Sequence, residues 1–197
     1  MARKASIKRK TKETDISVEL ELGSVRESEI DSGVPFFDHM LSSMARHGRF
    51  YLKLKCKGDY EIDDHHSVED VGITLGQAFK DALGDRAGTV RFADATVPMD
   101  DALSLVAIDL SGRPFFQYNG RELKGYIGKY NEELTMEFLR SFATNSGINL
   151  HVNLYYGENG HHVHESIFKA LAVSLYRATT IDSSLKGEIP STKGTIS

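Results

Sequence analysis

Two short stretches carry residue types whose spacing suits a transition metal. His65-His66-Ser67-Val68-Glu69-Asp70 is one, and His161-His162-Val163-His164-Glu165 is the other. In each, a glutamate follows three residues after the second of two adjacent histidines. If each stretch opens a helix, the glutamate stacks over the histidines one turn along the same face. Two imidazoles and a carboxylate converging at a helix end make half of a site for Mn, Fe, Co, Ni or Zn, and a poor one for Ca or Mg. The helix dipole repels cations from its N-terminus, and the glutamate in each motif offsets that repulsion. The order His-His-x-x-Glu is not the His-Glu-x-x-His of zinc proteases, so peptide hydrolysis gains no support.

The elements around the motifs alternate between strand and helix. Ile16, Val18, Leu20 and Leu22 form one face of a strand, preceded by another near Ile7, with Glu13 and Thr14 at the turn between them. Gly23 to Gly33 reads as a surface loop. Pro35 to Gly48 reads as a helix with Gly48 as its stop. Phe50, Leu52, Leu54 and Cys56 alternate with Tyr51, Lys53, Lys55 and Lys57, which predicts a half-buried strand. The Gly58-Asp59 turn leads to the first motif, whose helix runs to Gly84. From about residue 92 the order restarts: a strand over 103–110, extended chain over 115–118, a helix over 132–145, a strand on Ile148, Leu150, Val152 and Leu154, and the second motif with its helix.

A shift of 98 residues lays Phe50, Leu52, Leu54 and Cys56 on Ile148, Leu150, Val152 and Leu154, and His39 on Glu137; the motifs themselves are 96 apart. This is an internal repeat. It predicts one α+β domain over 1–197, built from duplicated sheet/helix halves (about 1–92 and 93–187) and a tail rich in Ser, Thr, Lys and Gly. Because His39 and Glu137 occupy matching positions upstream of the motifs, the ligand pool becomes His39, His65, His66, Glu69, Glu137, His161, His162 and Glu165.

Composition sets outer bounds. Hydrophobic residues at 40% and charged at 26% are ordinary for a globular protein. No apolar run approaches a membrane span, and the basic Met1-Ala2-Arg3-Lys4 start leads into no hydrophobic signal core. The lone cysteine, Cys56, reads as a small strand hydrophobe, and the expected location is the cytoplasm. A net charge of −4 without a basic stripe argues against nucleic acid.

Phe37-Asp38-His39-Met40-Leu41, Ala45-Arg46-His47-Gly48, Asp63 to Gly72, Asp109 to Pro114, Gly157 to His162, Phe168-Lys169-Ala170 and Pro190 to Gly194 together resemble the imidazoleglycerol-phosphate dehydratase family nearly end to end. The resemblance implies a ribosomal-protein-S5-domain-2-like fold and a hydro-lyase of histidine biosynthesis. Such an enzyme converts D-erythro-imidazole-glycerol phosphate to imidazole-acetol phosphate, with two Mn2+ per chain and assembly into a cage of twenty-four copies. It places the ligands on the pool above, with Glu137 where the family usually has a histidine, and has sites shared between chains. Substrate contacts are implied for Glu13, His39, His47, His65, Glu69, Arg91, Arg113, His161, Lys169, Ser191, Thr192 and Lys193. A metal-held imidazole would push out the substrate hydroxyl, and carboxylates must then move protons: Glu13, with Glu69 and Glu165. Arginine suits the phosphate by its fork and lysine as a point charge. His151 and His164 are left as ordinary polar residues. Two other classes are a metal-dependent hydrolase working through a bound water and a non-catalytic metal-storage or RNA-binding module; fold analogy alone supports neither.

Overall fold

The computed structural model describes residues 3–196; Met1, Ala2 and Ser197, at the ends of the basic start and of the tail, lie outside them. The first half contains β1 (Lys4–Lys10), β2 (Asp15–Leu22), β3 (Glu29–Asp31), α1 (Pro35–Gly48), β4 (Phe50–Lys57) and α2 (His65–Leu83). The second contains β5 (Phe92–Met99), β6 (Ala102–Asp109), β7 (Phe115–Asn119), α3 (Leu134–Ser146), β10 (Asn149–Tyr156) and α4 (Gly160–Thr179), with a small β8 (Tyr126–Ile127) and β9 (Tyr130–Asn131) hairpin before α3.

The two main sheets have the same topology. One runs β1-β2-β4-β3 and the other β5-β6-β10-β7, each antiparallel except for its last, parallel pair. The duplication read from the sequence is therefore a duplication of structure. Ile16, Val18, Leu20, Leu52, Leu54 and Cys56 bury one sheet face, as their alternation requires. Burial pushes the Cys56 thiol pKa up, which keeps it an inert hydrophobe.

Helices fill the space between the sheets. α2 covers β1 and β2, α4 covers β5 and β6, and the helix contacts cross the halves: α1 packs on α4 and α2 on α3. Phe37, Phe138 and Phe168 form the seam, with Phe37 edge-on to Phe138 at 5.1 Å and Phe138 stacked on Phe168 at 5.5 Å. At the α2–α3 crossing a Cβ on Gly72 would lie 2.9 Å from the Phe138 carbonyl oxygen, and one on Gly76 2.8 Å from that of Phe142. These glycines set how closely the two halves approach.

Several local expectations are corrected. The Gly23–Gly33 connection contains β3, which pairs with β4 through Ile30↔Leu54. Gly48 is not the helix stop; Arg49 takes the left-handed cap conformation at φ 50°, while a Cβ on Gly48 would strike the Phe50 ring at 2.5 Å. Tyr51 is buried rather than exposed like the lysines it alternates with, and its hydroxyl donates to Glu29 at 3.2 Å. His164 is wholly buried, its ring nitrogens facing the carbonyl oxygens of Gly160 and Glu132.

Candidate metal centre

Both His-His motifs open helices. The Asn159 side chain caps α4 by accepting from the backbone N–H groups of His161 (2.9 Å) and His162 (3.4 Å). At the start of α2 the His65 N–H donates to Asp63 at 2.8 Å. The two histidines of each pair diverge, however, instead of converging as the motif suggested. Adjacent residues sit about 100° apart around a helix, so only the first histidine stands over the glutamate four residues on.

The first histidines face the gap between helices of opposite halves. His161 Nε2 lies 3.2 Å and His39 Nε2 3.8 Å from Glu165 Oε2. One donor atom from each of these three residues falls within 4.8 Å of the others, with His39 supplied by α1 and the other two by α4. Ligands about 2.0–2.2 Å from a shared ion lie within roughly 4.4 Å of each other, so small side-chain rotations would fit this set to one. Burial alone would raise the Glu165 pKa, but Lys169, 2.7 Å from Oε1, and the two imidazoles outweigh it and hold the carboxyl below its usual range.

The matching set in the other pair of helices is His65 and Glu69 on α2 with Glu137 on α3. His65 Nε2 and Glu69 Oε2 are 3.9 Å apart. Glu137 lines a cavity of about 360 Å³ with Tyr60, Asp64, His65, Lys129 and Asn131, but both its oxygens sit 2.9 Å from Arg140 Nη1.

The second histidines point the other way, toward the hairpin tips. His66 Nδ1 meets Asp59 at 2.9 Å and its Nε2 faces Glu13 at 3.8 Å; His162 Nδ1 meets Asp101 at 2.5 Å and its Nε2 faces Asp100 at 3.5 Å. Glu13 occupies the β1–β2 turn and Asp100 the β5–β6 turn, so these are repeat-related. Asp59 raises the His66 pKa against burial, and Asp101 is driven well below the carboxylate range by the Asn159 N–H and then by His162. Asp59 and Asp101 are orienting groups that motif reading missed; Asp59 stands in the turn just before its motif, which was the available signal, whereas Asp101 reaches the second motif from the β5–β6 turn, with no signal in the spacing. A third is Asp70, buried beneath the Glu13 turn, which accepts from Arg9 and, at 2.5 Å, from Thr14.

The expected substrate contacts divide between two ends of the chain. His47 and Lys169 flank Glu165, where burial and then Lys169 lower the His47 pKa. Arg91 sits at the far end of α4, where its N–H donates to the Ala178 carbonyl. There it pairs with Asp109 (Nε to Oδ1, 2.8 Å) and holds the Pro190 carbonyl at 2.7 Å, anchoring the turn with Ser191, Thr192 and Lys193. Arg113 is exposed just beyond the same end of β6. Seventeen residues of helix separate His161 from Ala178, about 25 Å at 1.5 Å per residue.

A profile of the imidazoleglycerol-phosphate dehydratases matches residues 32–175. The chain belongs to the imidazoleglycerol-phosphate dehydratase family. An imidazoleglycerol-phosphate dehydratase of Syntrophus aciditrophicus is 50% identical over 193 residues, covering 98% of both chains. One from Geobacter sp. (strain M21) is 52% identical over 194 residues, covering 98% of this chain and 99% of its own. The crystal structure of the dehydratase from Staphylococcus aureus superposes with a TM-score of 0.83 at 32% identity, covering 91% of this chain and 99% of that one. The Pyrococcus furiosus enzyme, solved in complex with (S)-C348, gives 0.82 at 34% identity, covering 96% and 99%. The imidazoleglycerol-phosphate dehydratase likeness spans both halves, so both histidine–glutamate clusters lie within it. Among the described residues no helix is long and apolar enough to cross a membrane.

Proposed function

We propose that this single two-repeat domain dehydrates D-erythro-imidazole-glycerol phosphate to imidazole-acetol phosphate in the cytoplasm, as a step of histidine biosynthesis, with two Mn2+ ions per chain. His39, His161 and Glu165 would hold one ion, and His65, Glu69 and Glu137 the other. His66 and His162, turned toward the hairpin tips and braced by Asp59 and Asp101, would complete the sets of neighbouring copies. Bound there, the ions act as templates and Lewis acids toward the substrate imidazole.

The chain's own groups do the rest. Glu13, on a turn pinned by Asp70, faces the His66 ring and carries an exposed carboxylate suited to removing the carbon-bound proton. The hydroxyl leaves as water and the enol product becomes the ketone by moving one proton, for which Glu69 and Glu165 are the nearby carboxylates. Lys169 and His47 flank the imidazole end. Arg91, Arg113, Ser191, Thr192 and Lys193 form the phosphate end.

The observation that carries this reading is the distance between those ends. A small phosphorylated imidazole cannot bridge about 25 Å of α4, so the phosphate group of one copy must meet the histidines of another. This supports self-association; the closed cage of twenty-four copies, with no nucleic acid or membrane partner, is what the family resemblance implies. Turnover of the imidazole substrate, metal analysis of unchelated protein and solution mass test it together. His66→Ala and His162→Ala should each lose metal, activity and the large assembly; full metal with normal turnover in either variant would refute the ligand assignment.

A further inference from the structure

We infer that the two metal centres are not equivalent: the chain carries a tight, nitrogen-rich centre at His39, His161 and Glu165 and an oxygen-rich, exchangeable one at His65, Glu69 and Glu137. This rests on the metal reading above and goes beyond it.

Three differences between repeat-related positions separate the centres, the first by which metal each prefers and the other two by how firmly each holds Mn2+. First, the donor atoms differ. The first set offers two nitrogens and one oxygen, the second one nitrogen and two oxygens, because Glu137 stands where the repeat places His39. Imidazole favours later first-row metals, whereas carboxylates suit Mn2+ and other hard ions. Second, pre-organisation differs. Glu165 is held by Lys169 at 2.7 Å with its side chain only 12% exposed; the position matching Lys169 is Ile73, and the Glu69 side chain is 40% exposed. Third, the cation beside each carboxylate sits differently. Arg140 holds both oxygens of Glu137, whereas Lys169 holds only Oε1 of Glu165 and leaves Oε2 facing the two histidines; the position matching Arg140 is Ser42. An ion entering the second centre has to share or displace that arginine. In keeping with this, the first set is gathered within 4.8 Å, and no such gathering occurs for the second among the described residues.

Arg140 thereby makes occupancy of the second centre a balance between guanidinium and metal. Mn2+ released from that centre leaves the carboxylate paired and its charge satisfied, so vacating it costs less than vacating the first.

The test uses the Mn-loaded assembly of the whole chain. Graded chelator is added while free Mn2+ is read by electron paramagnetic resonance and mass by light scattering. Mn2+ should leave in two steps of one per chain, with chelator strengths about 10–100-fold apart, the range by which ligand surroundings change metal affinity. One equivalent of Zn2+ per chain should displace one Mn2+ and leave the other. Glu137→His should merge the steps, Arg140→Ser should bring the weaker toward the stronger, and Glu137→Gln should weaken the second step while sparing the first. Light scattering identifies any variant that fails to assemble, and the arginine variant then decides. A single release step in the natural chain would overturn the inequivalence, and two steps unmoved by Glu137→His would overturn its assignment to Glu137 and Arg140; either leaves the metal reading intact. Protein that takes up no Mn2+ at all would overturn both.

Discussion

Replacing Gly76 with alanine sets two effects against each other at the α2–α3 crossing. Alanine favours the helix by about 0.8–1.0 kcal/mol over glycine. Its Cβ would lie 2.8 Å from the Phe142 carbonyl oxygen, 2.9 Å from Asn145 Cβ and 3.0 Å from the Ser146 nitrogen. Two of those atoms are backbone, so no rotamer change relieves them and α2 must back away from α3. Overpacking of this kind costs about 1–3 kcal/mol. With three contacts this close, the cost should fall in the upper part of that range, leaving a net loss of about 1–2 kcal/mol. For a chain of this size each kcal/mol lowers the melting temperature by about 2–4 °C, so a fall of about 2–8 °C is expected. Calorimetry in chelator measures it without stabilisation by bound metal. Gly72→Ala should act the same way, and the double variant should lose less than the sum, since one retreat relieves both contacts. The retreat also draws His65 and Glu69 away from Glu137, so Mn2+ should be released more easily from that centre. A Gly76→Ala protein that melts at or above the natural temperature would refute the tight crossing.

Asp70→Asn removes the charge facing Arg9 and should cost about 1.5–3 kcal/mol in urea unfolding, the range for hydrogen bonds to charged groups; turnover should fall as the Glu13 turn loosens, and unchanged turnover would deny Asp70 that positioning role. Asp101→Asn leaves one oxygen for the Glu158 and Asn159 N–H groups and turns an amide donor toward His162 Nδ1 in place of an acceptor, so metal affinity should drop about 10–100-fold, as isothermal titration would show. Tyr60 and Tyr118 are both pushed up to about 12, chiefly by burial. Folding therefore favours their neutral forms, and the stability they contribute is complete below the unfolded value of about 10 and lost as pH rises toward 12. Ultraviolet difference titration should show them ionising late in folded protein and early in urea.

Much of this architecture is legible in the sequence because its signals are periodic. Ile16 to Leu22, Phe50 to Cys56 and Leu150 to Leu154 alternate cleanly, each strand having one face in the core. β5 escapes because it is an edge strand in which Ala95 alone is buried, with Asp94 and Pro98 diluting the pattern; the repeat itself, by analogy with β1, held the missing clue. β3 is too short to show a period. At the site, residue types single out candidate ligands, but how the structure groups them does not follow from spacing. It depends on which way adjacent histidines turn, on Asp59 and Asp101 reaching them from turns, and on Glu137 choosing Arg140. Those are side-chain orientations that no spacing rule gives, settled by neighbours as near as Arg140 is to Glu137 and as far as Asp101 is from His162.

The crossing of helices between halves also bears on how such a chain arose. Each ligand set takes one member from one half and two from the other, so a half-length ancestor could have gathered a set only by pairing with its twin. In such a symmetric pair both sets would have been copies of each other by necessity. Carrying both halves in one chain lifts that constraint, so that a histidine and a glutamate can stand at equivalent positions.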